Sequence, residues 1–188
     1  MKKIALAVFS IVPLQLAHVP DNLRVPAGNH AFLEGHAVGT QNYMCLPSGS
    51  LVAWTAIGPQ ATLFRDNDRQ IITHFLSTNP AENLARATWQ HSRDTSRVWA
   101  QLIASSSDPA FVAAGAIPWL LLQVVGKQEG PTGGDVLTKT TFIQRLNTIG
   151  GIAPATGCSA AADVGKRALV PYEAQYVFYA PRDVEGDR

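Results

Sequence analysis

The chain has 188 residues, 46% of them hydrophobic and only 15% charged, with fifteen Lys and Arg against fourteen Asp and Glu. That length suits one domain with a real core, and the composition excludes a disordered chain or a coiled coil. The cations are scattered, so no basic stripe could neutralise phosphates and nucleic acid is excluded as a partner. Twelve prolines and fifteen glycines predict many turns between short elements.

The chain opens on "MKK", a positive segment, followed by the apolar "IALAVFSIVPLQLA". This is the pattern of a secretory signal peptide over residues 1–17, cut after Ala17, although Gln15 stands where a small residue is preferred. Export, to the periplasm or outside the cell, gives Cys45 and Cys158 a meaning. An even pair of cysteines in an oxidising compartment favours a disulfide over a metal site or a thiol nucleophile.

Residues 18–29 hold two prolines and little periodicity, an extended lead-in to a single β domain over 30–180, with 181–188 as a tail. From His30 the apolar positions alternate with period two, break at Gly39 and resume through Tyr43 and Cys45. "PSGS" is a turn, "LVAWTAI" a strand, and "GPQ" a break. "ATLFRDNDRQIITHFL" reads as two strands joined by a tight turn at Asp66, Asn67 and Asp68. The next stretch predicts a short helix capped near Asn79 and Pro80, then a strand holding Trp89; "RVWAQLIAS" alternates again.

"IPWLLLQVVG", residues 117–126, is about half the ~20 residues a membrane helix needs. Pro118 and the glycine-rich loop after it favour a strand covered on both faces. "VLTKTTFIQRL" is its hairpin partner, and "ALVPYEAQYVFYA" a terminal strand. The sum is an all-β fold, an antiparallel sandwich or barrel of roughly nine to eleven short strands with few short helices.

"GTQNYMC", "IPWLLLQ", "TTFIQRLNTIGG" and "VPYEAQYVFY", in that order, resemble a family of secreted bacterial and fungal proteins known as domain of unknown function 3455. The resemblance spans about residues 24–180. It implies export and a β fold and leaves mechanism open. The malate dehydrogenase label that some fungal relatives carry finds no support: no G-x-G-x-x-G motif and no alternation of strands and helices is present. The family's central stretch, of the pattern G-x-H…G-P-x-W…D-G-S, keeps His74 and Trp89 here but lacks the glycine–proline pair and the D-G-S turn. Asn42 stands where an apolar residue is usual.

Ligand-binding candidates are Gln41, Tyr43, His74, Trp89, Gln144 and Arg145. His74 could serve as a base or metal ligand in a pocket with Trp89, Tyr43 and Gln41; the plainer reading is a core histidine bonded to backbone. Gln144 and Arg145 alternate across a strand, so one faces in, and an inward arginine calls for a partner such as Asp66, Glu34 or Glu173. Cleavage after Ala17 would free His18 to offer amine and ring to copper, with His74 or His91 as a second ligand. Trp54, Trp89, Trp99 and Trp119 could form a sugar- or lipid-binding platform, or simply pack the core.

Two functions follow. The first is a non-catalytic binding or structural role with a small apolar or glycan ligand and no cofactor. The second is a copper- or zinc-dependent enzyme, oxidative, centred on His74 and His18.

Overall fold

The computed structural model describes residues 18–182, so the signal-peptide reading and nearly all of the tail lie outside the described residues. Eight strands run through it: β1 Asn29–Ser48, β2 Leu51–Phe64, β3 Gln70–Asn79, β4 Leu84–His91, β5 Arg97–Ser106, β6 Trp119–Gln128, β7 Phe142–Gly150 and β8 Arg167–Pro181. Each pairs antiparallel with the next and β8 pairs with β1, closing a barrel in chain order. The all-β class is as expected, and the architecture is the barrel. Two 3-10 turns, Asp21–Leu23 and Ala161–Asp163, are the only helical pieces among the described residues.

The strand count falls to eight because two expected breaks are bends inside strands. β1 runs straight through Gly39, where an added Cβ would lie 2.1 Å from the Gln60 carbonyl oxygen and 2.5 Å from Ala61 Cα. The glycine is there so that β1 and β2 can approach closely. Gly58, at φ +117°, sits at a bulge of β2 opposite Asn42 and Tyr43, which bends the long hairpin without ending it.

Two other expectations change. No helix starts at Asn79; its side chain and carbonyl receive the amides of Ala81, Glu82 and Asn83, and Asn83 takes φ 56°, so the segment is a hairpin turn. Residues 136–141 are turn as well, with Leu137 fully buried, and β7 begins only at Phe142. The Asp66–Asp68 turn forms as read, with Asp68 at φ 55°.

The inside is filled by Leu33, Ala37, Leu63, Ile72, Trp89, Val98, Leu122, Ile143, Tyr176 and Phe178, as an eight-stranded barrel is just wide enough to require. A second cluster lies outside it: Leu23 of the lead-in packs with Val112 on Trp119, Leu121, Leu146, Val177 and Tyr179. The apolar run is thus a strand covered on both faces, Leu122 turned in and Leu121 out. The lead-in shows no periodicity because it docks through single side chains.

The Cys45–Cys158 bridge forms, with Cα atoms 5.5 Å apart across 113 positions of sequence. It holds the 151–158 loop against the inward side of the β1–β2 hairpin. Tyr43 Oη donates to the Gly151 carbonyl at 2.7 Å, and Trp54 Nε1 to that of Thr156 at 3.0 Å.

Candidate functional site

The period-two pattern of β1 turns Gln41, Tyr43 and Cys45 to the inside, where all three are buried and the last two meet the 151–158 loop. His74 on β3 lies directly opposite Trp89 on β4, and the rings stack with centroids 4.1 Å apart and planes within 9°. Tyr176 meets the imidazole edge-on at 5.1 Å. His74 Nδ1 donates to the Thr88 carbonyl at 2.9 Å, the role open to the neutral ring. Burial pushes its pKa down to about 3, outweighing the upward pull of the Thr88 bond, and the Arg145 charge adds a smaller push down. A ring this reluctant to take a proton is a poor general base.

Arg145 is also inward, opposite Tyr176 and Leu120. Its Nε and Nη2 both donate to the Pro118 carbonyl, at 3.2 and 2.9 Å. None of the acids proposed for it pairs with it: Glu34 accepts from Gln175, Glu173 pairs with His36, and Asp66 lies at the β2–β3 turn. The side chain is only half-buried, and the Pro118 carbonyl takes the place of an acid as its acceptor. Burial raises the Tyr43 and Tyr172 pKa values and Arg145 opposes both shifts; both remain phenols.

Gln144 points outward instead. Its Nε2 donates to the Leu23 carbonyl at 2.6 Å and its Oε1 accepts from Tyr179 Oη at 2.6 Å, pinning the lead-in to the barrel. So Gln41, Tyr43, His74, Trp89 and Arg145 share the inner face, and Gln144 does not. His18, His74 and His91 are not brought together: His18 stacks on Phe111, and His91 bonds Asp94 at 2.9 Å. Among the described residues no three His, Cys, Asp or Glu side chains converge as metal ligands. The tryptophan platform is also absent. Trp89 fills the interior, Trp119 belongs to the outer cluster, Trp99 is buried with its Nε1 on Ser77, and Trp54 lies against the disulfide loop.

One concave feature among the described residues lies on the outer wall. A groove of about 690 Å³ crosses β2, β1, β8 and β7, lined by Phe64, Glu34, His36, Gln175, Asn147 and Ile149. Pairing puts Phe64, His36 and Gln175 in one row across three strands. Asn147, at φ 50° in the β7 irregularity between Leu146 and Ile149, completes it. Its Nδ2 donates to Gln175 Oε1, and Gln175 Nε2 donates to Glu34 Oε1, so the amides are locked in one orientation. His36 Nε2 and Glu173 Oε2 lie 3.2 Å apart alongside. Ile149, 60% exposed, forms an apolar wall.

Sequence reading missed this site. Glu34 with His36 and Glu173 with Gln175 are polar residues at alternate positions of two strands, which is the available signal. Their adjacency depends on β8 closing onto β1, about 140 residues away, which no local pattern reveals.

A family model described as Protein of unknown function (DUF3455) matches residues 26–180. No curated protein and no solved structure matches this sequence.

Proposed function

The chain belongs to that family, DUF3455, and on this premise we propose that it is a non-catalytic binding domain of an extracytoplasmic compartment whose groove seats a hydroxyl-rich ligand, a glycan unit. The Cys45–Cys158 bridge and the reading of residues 1–17 as a signal peptide support the compartment. The oriented Asn147–Gln175–Glu34 relay carries the ligand class. Asn147 Oδ1, Glu34 Oε2 and His36 Nδ1 make no hydrogen bond within the described residues, and hydroxyls, being both donors and acceptors, can match all of them. Phe64 and Ile149 supply apolar surface for a sugar's C–H faces.

The groove is open to water, so each hydrogen bond contributes about 1 kcal/mol net. Three or four such contacts give about 4 kcal/mol, a Kd of about 1 mM for a single unit. NMR titration with a panel of mono- and oligosaccharides reads affinities in that range. Asn147→Ala, which removes the start of the relay, is expected to weaken binding about five- to tenfold, the equivalent of about one hydrogen bond. Because residue 147 holds φ 50°, alanine there is also expected to cost about 1 kcal/mol of stability, so binding is compared well below the melting temperature of both proteins. A panel in which no saccharide binds, or in which Asn147→Ala binds as the parent does, contradicts the reading.

A further inference from the structure

The β1–β2 hairpin outruns the barrel on one side. β1 pairs with β2 along the whole hairpin, down to Ser48 opposite Leu51. β3 pairs with β2 only over Gln60–Phe64. On the β3 side, residues 51–59 make no backbone hydrogen bond to any described residue. One face of this projection is covered, because Trp54 lies under the disulfide loop with Gly157 against its ring. The edge and the opposite face, with Leu51, Ala53 and Thr55, are exposed, Leu51 by 74%.

A bare edge of this kind is usually blunted by charge, proline or a bulge. Here "LVAWTAI", residues 51–57, holds no charge and no proline, is rich in strand-forming residues, and meets its first bulge only at its last residue, Ile57. Seven extended residues offer about 23 Å of unpaired ladder.

We propose that this edge joins two copies of the protein, β2 against β2, antiparallel about a two-fold axis. Antiparallel pairing of a segment with itself is closed and self-complementary, so it stops at a dimer. An uncharged edge brings no like charges together across that axis, whereas a charged residue near its centre, at 53–55, would lie close to its own copy. The disulfide holds the hairpin rigid in the extended form the partner must meet. The dimer interface is separate from the groove, so the proposal stands independently of the glycan reading.

Sedimentation velocity of the purified protein from micromolar to millimolar concentration, with amide hydrogen exchange at both ends of the range, tests it. The expected result is a monomer–dimer equilibrium with concentration-dependent protection confined to residues 51–57. Thr55→Lys, which places a cation on each side of the axis, is expected to leave a monomer with unchanged circular dichroism, and Thr55→Val is expected to dimerise as the parent does. A parent monomeric throughout, protection located elsewhere, or a Thr55→Lys protein that dimerises equally overturns the proposal.

Discussion

Replacing Cys45 and Cys158 together by alanine is expected to lower stability by up to about 4–5 kcal/mol, the loop-closure entropy of a bridge spanning more than a hundred residues. For a domain of this size that corresponds to a melting temperature lower by roughly 10–20 °C. The bond joins β1, where the hairpin projects, to the 151–158 loop, which lies outside the strands. Without it, the Tyr43–Gly151 and Trp54–Thr156 hydrogen bonds and the Ala116–Gly151 bridge must hold the loop. Urea unfolding measures the change, and a less compact unfolded state should also steepen the denaturant dependence. A loss under 1 kcal/mol would show that the bridge is incidental to the barrel.

His74 makes stability depend on pH from about 6.5 downward, and the upper part of that window lies above the ordinary carboxylate range. An unfolded histidine takes up its proton below about pH 6.5; in the barrel, burial delays this to about pH 3. Between those values the unfolded state binds more protons, so stability rises with pH. The contribution is complete above pH 6.5 and is lost as pH falls towards 3, by about 1.4 kcal/mol per unit. Urea midpoints at pH 6.5 and 5 should therefore differ by about 2 kcal/mol in the parent. His74→Phe keeps an aromatic ring against Trp89 but cannot titrate. It removes one hydrogen bond to the Thr88 carbonyl, which costs about 1 kcal/mol at every pH, and the part of the slope due to residue 74 should disappear. Asp94 is also held below the usual carboxylate range: burial opposes this, and bonds from Val136 and Ser96 outweigh it. Its loss falls at lower pH. An unchanged slope in His74→Phe would mean that the imidazole reaches water, reopening the catalytic reading of that residue.

The fold class was legible because the barrel's inner wall is written in period two. Gly39, Gln41, Tyr43 and Cys45 form one stripe, and Tyr172, Ala174, Tyr176 and Phe178 another. The quoted motifs of β1 and β8 therefore carry inward-facing positions, and Gln41 and Tyr43, ligand candidates from the β1 motif, are buried on the inner face. Gly39 and Gly58 misled because a glycine that ends a strand and one that lets two strands touch look alike in sequence. Only the neighbouring backbone, Gln60 and Ala61 for Gly39, tells them apart. Gln144 and Arg145 were correctly read as alternating. Which of the two faced in, and that the inward one met no acid, depended on the lead-in accepting from one and the Pro118 carbonyl from the other. The groove draws on four strands, and its relay exists only once the first and last are side by side.

Mapping a bound saccharide by backbone and side-chain NMR shifts tests most directly that this barrel binds on its outer wall and uses its inner residues for architecture. Shifts should concentrate on Glu34, His36, Phe64, Asn147 and Gln175, with the resonances of Gln41, Tyr43, His74 and Arg145 unmoved. Perturbation centred on Arg145 and Tyr43, with the groove silent, would place the ligand inside and contradict it.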